Sequence, residues 1–187
     1  LPTLDCPVAY RILEEQKEYG PLADFSCGKR GRQAEREINR TVSQLFGGTC
    51  PMQMLAVVLE KAAGADDYGR QPLIGVCGLS RIKSQGIPGL ADGTDIAYIP
   101  AIGTDAIYRD HVLEDGVTRC GSALLMSAMV VTRTMFGGEM PAVLARVLPH
   151  NKGSMRLFRE HGFDKLGLQM GENAMFRPPD LEPDFRR

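Results

Sequence analysis

The stretch that decides the fold runs Leu148-Pro149-His150-Asn151-Lys152-Gly153-Ser154-Met155-Arg156-Leu157-Phe158-Arg159-Glu160-His161-Gly162-Phe163. Read locally, it is a helix with both ends marked. Asn151 carries a side-chain oxygen suited to accept from a first-turn N–H, and Gly162 stands where helices commonly stop. Ser154 and Phe158 are four residues apart and share a face, with Met155 and Arg159 rotated beside them. Upstream, Ala142–Leu148 (AVLARVL) is bounded by Pro141 and Pro149, and its length and apolar content predict a short buried strand.

Further upstream, Ser122–Phe136 (SALLMSAMVVTRTMF) is rich in Leu, Met and Ala and ends at Gly137-Gly138. It predicts a well-buried helix. Its lead-in is Arg119-Cys120-Gly121-Ser122. A glycine at a strand-to-helix junction lets backbone approach a ligand closely, and the open N–H groups of the first turn form an anion site suited to a pyrophosphate. Ile96–Ile102 (IAYIPAI) predicts a strand in which Pro100 removes a ladder donor, so a bulge or splay is expected there. Met52–Glu60 and Leu73–Ile82 predict an antiparallel hairpin around the loop Gly64–Gly69, and Ser84–Gly93 predicts a second loop. Leu4–Tyr10 predicts a first strand. Phe25-Ser26-Cys27-Gly28 predicts a turn, and Arg32–Phe46 a polar helix with Ile38, Val42, Leu45 and Phe46 on one stripe. One final strand is expected after the Asn151 helix. Residues 1–177 read as a single domain and 178–187 as a loose Pro-rich tail.

Asn151, Ser154, Leu157, Gly162 and Phe163, in that order after a buried strand, resemble the signature of the GNAT acetyltransferases. Arg119–Leu125 resembles the same family's CoA-binding loop and the helix that follows it. The resemblance covers roughly residues 73–167, and Phe25–Gly28 is similar to openings in the toxin-like branch of the family. It implies an α/β GNAT fold, with a mixed central sheet splayed between the fourth and fifth strands and flanked by helices. It also implies acetyl-CoA as co-substrate, no metal, and an amine acceptor on a small molecule or peptide. Ile102, Gly103 and Thr104 would then hold the pantetheine arm by their backbone. Arg109, Arg119, Cys120, Gly121 and Ser122 would meet the pyrophosphate, and Asn151, Ser154 and Phe158 the arm from the helix side. Tyr98 and Asp95 lie near the place where relatives carry a strand-four glutamate, and are candidates for proton transfer. Cys120 reads as a small loop residue, and Tyr98 alternatively as a packed strand aromatic.

Two departures from the family pattern stand out. Phe158 occupies a position where many relatives place a tyrosine general acid, and phenylalanine donates no proton. The loop glycine Gly121 has neither the leading basic residue nor the first glycine in register. Tyr108-Arg109 looks like the usual lead-in, so Asp110–Val117 reads as an insertion whose acids face solvent, with Arg109 displaced. These departures keep a CoA-binding regulatory protein as an alternative to an enzyme.

The chain has 187 residues, 43% hydrophobic and 24% charged, which suits one soluble globular domain. A formal net charge of −1 argues against a general nucleic-acid binder, while a toxin-like acetyltransferase acting on aminoacyl-tRNA stays open. Five widely spaced cysteines form no disulfide framework and no C-x-x-C metal spacing. No apolar run reaches membrane-spanning length and no basic-then-apolar leader is visible, so a cytoplasmic protein is expected. A homodimer is compatible with all of this.

Overall fold

A computed structural model describes residues 1–4, 8–12, 25–28, 35–36, 38–40, 54–61, 73–169 and 172–179. Eight strands form one sheet: β1 (Val8–Ile12), β2 (Met54–Lys61), β3 (Leu73–Lys83), β4 (Asp95–Ile99), β5 (Ile102–Thr104), β6 (Val143–Val147), β7 (Asp164–Gln169) and β8 (Glu172–Arg177). Helix α1 (Cys120–Met135) joins β5 to β6, and α2 (Lys152–Glu160) joins β6 to β7. The spatial order is β1-β2-β3-β4-β6-β8-β7, with β5 continuing beside β3. Every pairing is antiparallel except β4 with β6. A parallel pair needs a long crossover, and α1 supplies it.

Side-chain alternation divides the core between the two faces of the sheet. On the helix face, Cys77 and Leu79 of β3, Ala97 and Ile99 of β4, and Val143, Ala145 and Val147 of β6 pack against Leu124, Leu125, Ala128 and Met129 of α1 and Phe158 of α2. On the other face, Ile96, Ala142, Leu144, Ala174 and Phe176 gather with Ile87 from the 84–94 loop. Burial on both sides explains why β3 reads as a continuous apolar run rather than an alternating one. Gly75 lets α1 sit close, since a Cβ there would lie 2.8 Å from Leu124 Cδ2.

α1 starts two residues earlier than the sequence suggests, at Cys120, and stops as expected. Gly137 and Gly138 adopt φ of 73° and 99°, and the Gly138 N–H returns to the Arg133 carbonyl. α2 is short, and a nine-residue helix is marginal on its own. It is held by its Asn151 cap and by Phe158, whose ring meets Phe163 edge-on at 4.9 Å.

Two expectations are corrected. The first strand begins at Val8, while Thr3 bridges Val112 instead. The last strand is a hairpin, with β8 inserted between β6 and β7. Gly167, at φ 143° beside a register shift, interrupts the period of two that would have revealed β7. Arg177 belongs to β8 and is 2% exposed. In the Arg32–Phe46 stretch, residues 35–36 and 38–40 are helical. The rest of that stretch, the Gly64–Gly69 loop and residues 180–187 lie outside the described residues.

Candidate functional site

The sheet opens where Pro100 was expected to disturb it. β4 pairs with β6 over Ala97–Val143, Tyr98–Leu144 and Ile99–Ala145, and there the parallel ladder ends. Between the Ser80–Tyr98 and Cys77–Ile102 pairs, β3 advances three residues while β4–β5 advances four. The extra residue is a bulge, which bends the strand. Beyond it β5 stays with β3 and leaves β6. The Gly78 N–H bonds to Ala101 O at 2.9 Å, and the Asp105 N–H to Ile74 O at 2.8 Å. Antiparallel ladders alternate, so Ala101, Gly103 and Asp105 turn their polar groups toward β3. Ile102 and Thr104 therefore present theirs to the opening beside β6.

One end of this opening leads to the start of α1. A Cβ on Gly121 would sit 3.9 Å from Thr104 Cγ2 and 3.8 Å from Leu157 Cδ2, so Gly121 lies between β5 and α2. Arg119 occupies the N-cap position in an extended conformation, with no side-chain cap. The Cys120 N–H is bonded to His111 O, and Ala123 makes the first helical bond, to Arg119 O. The Gly121 and Ser122 N–H groups have no partner among the described residues, and α1 carries no acid in its first turn. A cleft of about 290 Å³ opens beside Ser122. Residues 117–119 and Ser122 line one side, and Arg156, Glu160 and His161 the other. Burial lowers the His161 pKa, Glu160 opposes that shift, and Arg177 adds to it. Cys120 is fully buried, and desolvation raises its thiol pKa, which suits packing rather than nucleophilic attack.

The loop before α1 is compactly built. Asp115 accepts from the Val117 and Thr118 N–H groups and from the Thr118 hydroxyl, which lowers its pKa. Asp110, Glu114 and Asp115 are all exposed. Val112 holds the chain start, accepting from the Leu4 N–H and donating to Pro2 O. Arg109 donates to the Cys27 carbonyl. Cys27 lies against Gly103, on the face of β5 opposite the one where Thr104 meets Gly121, so Arg119 is the arginine at the helix start.

On α2, Asn151 Oδ1 accepts from the Ser154 N–H at 3.1 Å, which leaves its amide NH₂ available. Ser154 is half-buried. Phe158 shares its face but is 1% exposed, so the ring expected to touch a ligand is enclosed in the core.

No family model and no curated protein sequence matches this chain. Solved structures do match its shape. A tyrosine-to-phenylalanine mutant of the AtaT toxin, bound to the C-terminus of the antitoxin AtaR and to acetyl-CoA, is 17% identical with a TM-score of 0.64, covering 91% of this chain and 92% of that one. PaiA N-acetyltransferase from Thermoplasma acidophilum, in complex with coenzyme A, is 14% identical with a TM-score of 0.54, covering 91% and 99%. An acetyltransferase of the GNAT family from Staphylococcus aureus is 11% identical with a TM-score of 0.54, covering 90% and 98%. The chain has the GNAT fold.

Within the GNAT fold, the two proton-transfer candidates are held differently. Asp95 sits at the start of β4, paired to Arg81 at 3.0 Å and Lys83 at 2.9 Å, and these bonds lower its pKa. Tyr98 is half-buried on the face away from α1, packed against the Ile96–Leu144–Phe176 cluster. Among the described residues no group of three or more His, Cys, Asp or Glu could hold a metal, and no helix is long and apolar enough to cross a membrane. Sequence reasoning missed the far wall of the cleft, Arg156, Glu160 and His161. Its signal was present, since Arg156 and Glu160 stand at i,i+4 in the quoted helix and bond at 2.6 Å.

Proposed function

We propose that this chain is an acetyl-CoA-dependent N-acetyltransferase, cytoplasmic, passing the acetyl group directly to an amine on a small molecule or peptide. The observation that carries the reading is the free edge of β5, facing away from β3, with an open helix N-terminus at one end. The spacing suits an extended amide-bearing arm against Ile102 and Thr104, and a pyrophosphate against the Gly121 and Ser122 N–H groups with Arg119 beside them. The thioester supplies an activated acyl carbon. Backbone N–H groups at the bulge polarise its carbonyl, an effect that grows as negative charge develops on the oxygen.

The attacking amine must be neutral. Asp95 is engaged with two cations and Tyr98 packs into an apolar cluster, so neither is poised as the base. Water in the opening takes that role. The leaving thiolate is a stable enough anion to depart without a protein acid, consistent with Phe158 donating nothing.

Thermal-shift titration with acetyl-CoA, followed by turnover with a panel of amines, tests this reading. A rise in melting temperature together with thiol release is expected. No shift at millimolar acetyl-CoA or CoA removes the reading. The likeness to the AtaT toxin favours one second reading, a toxin-like enzyme, for which the sequence resemblance leaves aminoacyl-tRNA open as the carrier of the acceptor amine. It requires salt-dependent tRNA binding, against a net charge of −1.

A further inference from the structure

β5 is three residues long and has a ladder on one side only. An edge that receives an extended substrate works only if it is fixed, because displacement of about 1 Å can cost on the order of 100-fold in rate. Its support comes from a residue just past its end. Asp105 is 7% exposed and joins three segments. Its N–H extends the β3 ladder to Ile74 O at 2.8 Å. Its Oδ1 accepts from the Ile107 N–H at 2.9 Å, and its Oδ2 from the Ser26 N–H at 3.0 Å. The Ala106 N–H returns a bond to Ser26 O at 2.8 Å. Around this pair, Arg109 donates to Cys27 O, and the Glu35 carboxylate accepts from the Cys27 N–H at 2.9 Å and the Ser26 hydroxyl at 3.2 Å. The result presses the Phe25–Gly28 segment onto the back of β5. A Cβ on Gly103 would lie 2.7 Å from Cys27 Sγ and 3.0 Å from Ile38 Cδ1, so only glycine admits the contact.

We infer that Asp105 is a positioning residue for acyl transfer: it locks the Phe25–Gly28 segment against β5 and so fixes the free edge that receives the thioester substrate. The inference rests on the acetyltransferase reading above. It needs a carboxylate in particular, because two N–H donors converge on the side chain and each takes its own oxygen. Asparagine offers one oxygen, and its NH₂ would face the other donor. The same clamp ties the helical segment containing Glu35 and Ile38 to the cofactor strand, so the element behind the acyl group and the edge in front of it move as one.

The test compares wild type, Asp105→Asn, Asp105→Glu and Glu35→Ala by three readouts: hydrogen exchange at Ser26 and Cys27, acetyl-CoA affinity, and kcat with an amine acceptor. Asp105→Asn is expected to speed exchange at Ser26 and lower kcat about tenfold. Its acetyl-CoA affinity should change by less than about threefold, because the α1 end of the site is untouched. Asp105→Glu keeps the charge but is too long, and does not restore kcat. Glu35→Ala, at a half-buried helix position, guards against a misfolded Asp105 variant and should lower kcat about threefold at unchanged affinity. Faster exchange with wild-type kcat overturns the inference, as does a parallel fall of kcat and acetyl-CoA affinity. A wild-type protein that neither binds acetyl-CoA nor acetylates any amine removes the enzymatic reading instead, a different result from active wild type with indifferent variants.

Discussion

Both helices that follow the sheet opening begin beside it, and they begin in opposite ways. α2 closes its own N-terminus, with the Asn151 side chain on the Ser154 N–H. α1 starts at Arg119 with no cap, its Gly121 and Ser122 N–H groups have no partner among the described residues, and Ser122 lines a cleft. A missing cap typically costs about 1 kcal/mol. The capped helix has one fully buried side chain, and its work is to brace. The uncapped one is anchored by eight buried residues and can tolerate an unfinished end. Stability lost at the α1 start is recovered along its length, and the open end is what an anionic ligand would complete.

The comparison can be broken at α1 most directly. Gly121→Asp places a carboxylate among the open N–H groups. The surrounding space accepts a Cβ at ordinary contact distance, and an acid near a helix start is tolerated, so the melting temperature should hold. Acetyl-CoA affinity should fall on the order of 100-fold through repulsion of phosphate at that helix end. Unchanged affinity in a folded variant, measured by calorimetry, would place the pyrophosphate elsewhere.

At α2 the sharpest probe is Phe158→Tyr. The ring is enclosed, so the new hydroxyl should cost about 1–3 kcal/mol as an unpaired buried group, read as a drop in denaturation midpoint. A variant of unchanged stability and faster turnover would show that the para edge faces the opening after all. A paired exchange of caps is gentler. Asn151→Ala should destabilise by about 1 kcal/mol, while Arg119→Asp should stabilise by a similar amount and weaken acetyl-CoA binding. If both substitutions shift stability in the same direction, the two helix starts are not the opposites described.

The smallest effect concerns pH. His161 has a lowered pKa in the fold, so the unfolded chain takes up its proton first as pH falls. Stability should decline as pH drops through the ordinary value of 6.5 and level off once the folded-state group also protonates. His161→Gln should flatten that part of the melting curve series. A slope identical in wild type and variant assigns the dependence to another group.

Local signals account for what was legible in advance. The Asn151 cap, the Gly137-Gly138 stop and the break at Pro100 are each set by the chemistry of one or two residues, and each is where it was expected. Phe158 shows the limit. Spacing puts it on a face with Ser154, but which neighbour that face meets depends on Phe163 and the sheet beneath. Asp95 read as a residue near a reacting centre, and its partners Arg81 and Lys83 come from the adjacent strand. The Asp105 clamp was invisible for the same reason, since Ser26 lies 79 positions away and no periodicity relates them. The hairpin of β7 and β8 was hidden by Gly167.

The bulge at Pro100 also has a mechanical meaning. Strands β1 to β5 form one plate and β6, β8 and β7 another, and the ladder joining them spans three residue pairs, Ala97–Val143, Tyr98–Leu144 and Ile99–Ala145. The seam is short, and α1 packs across it, against Cys77 and Leu79 on one plate and Val143, Ala145 and Val147 on the other. An extended molecule lodged beside β5 would act as a rivet past the end of the seam. Pulled apart from its two termini, the loaded chain should therefore resist rupture between β4 and β6 more than the empty one.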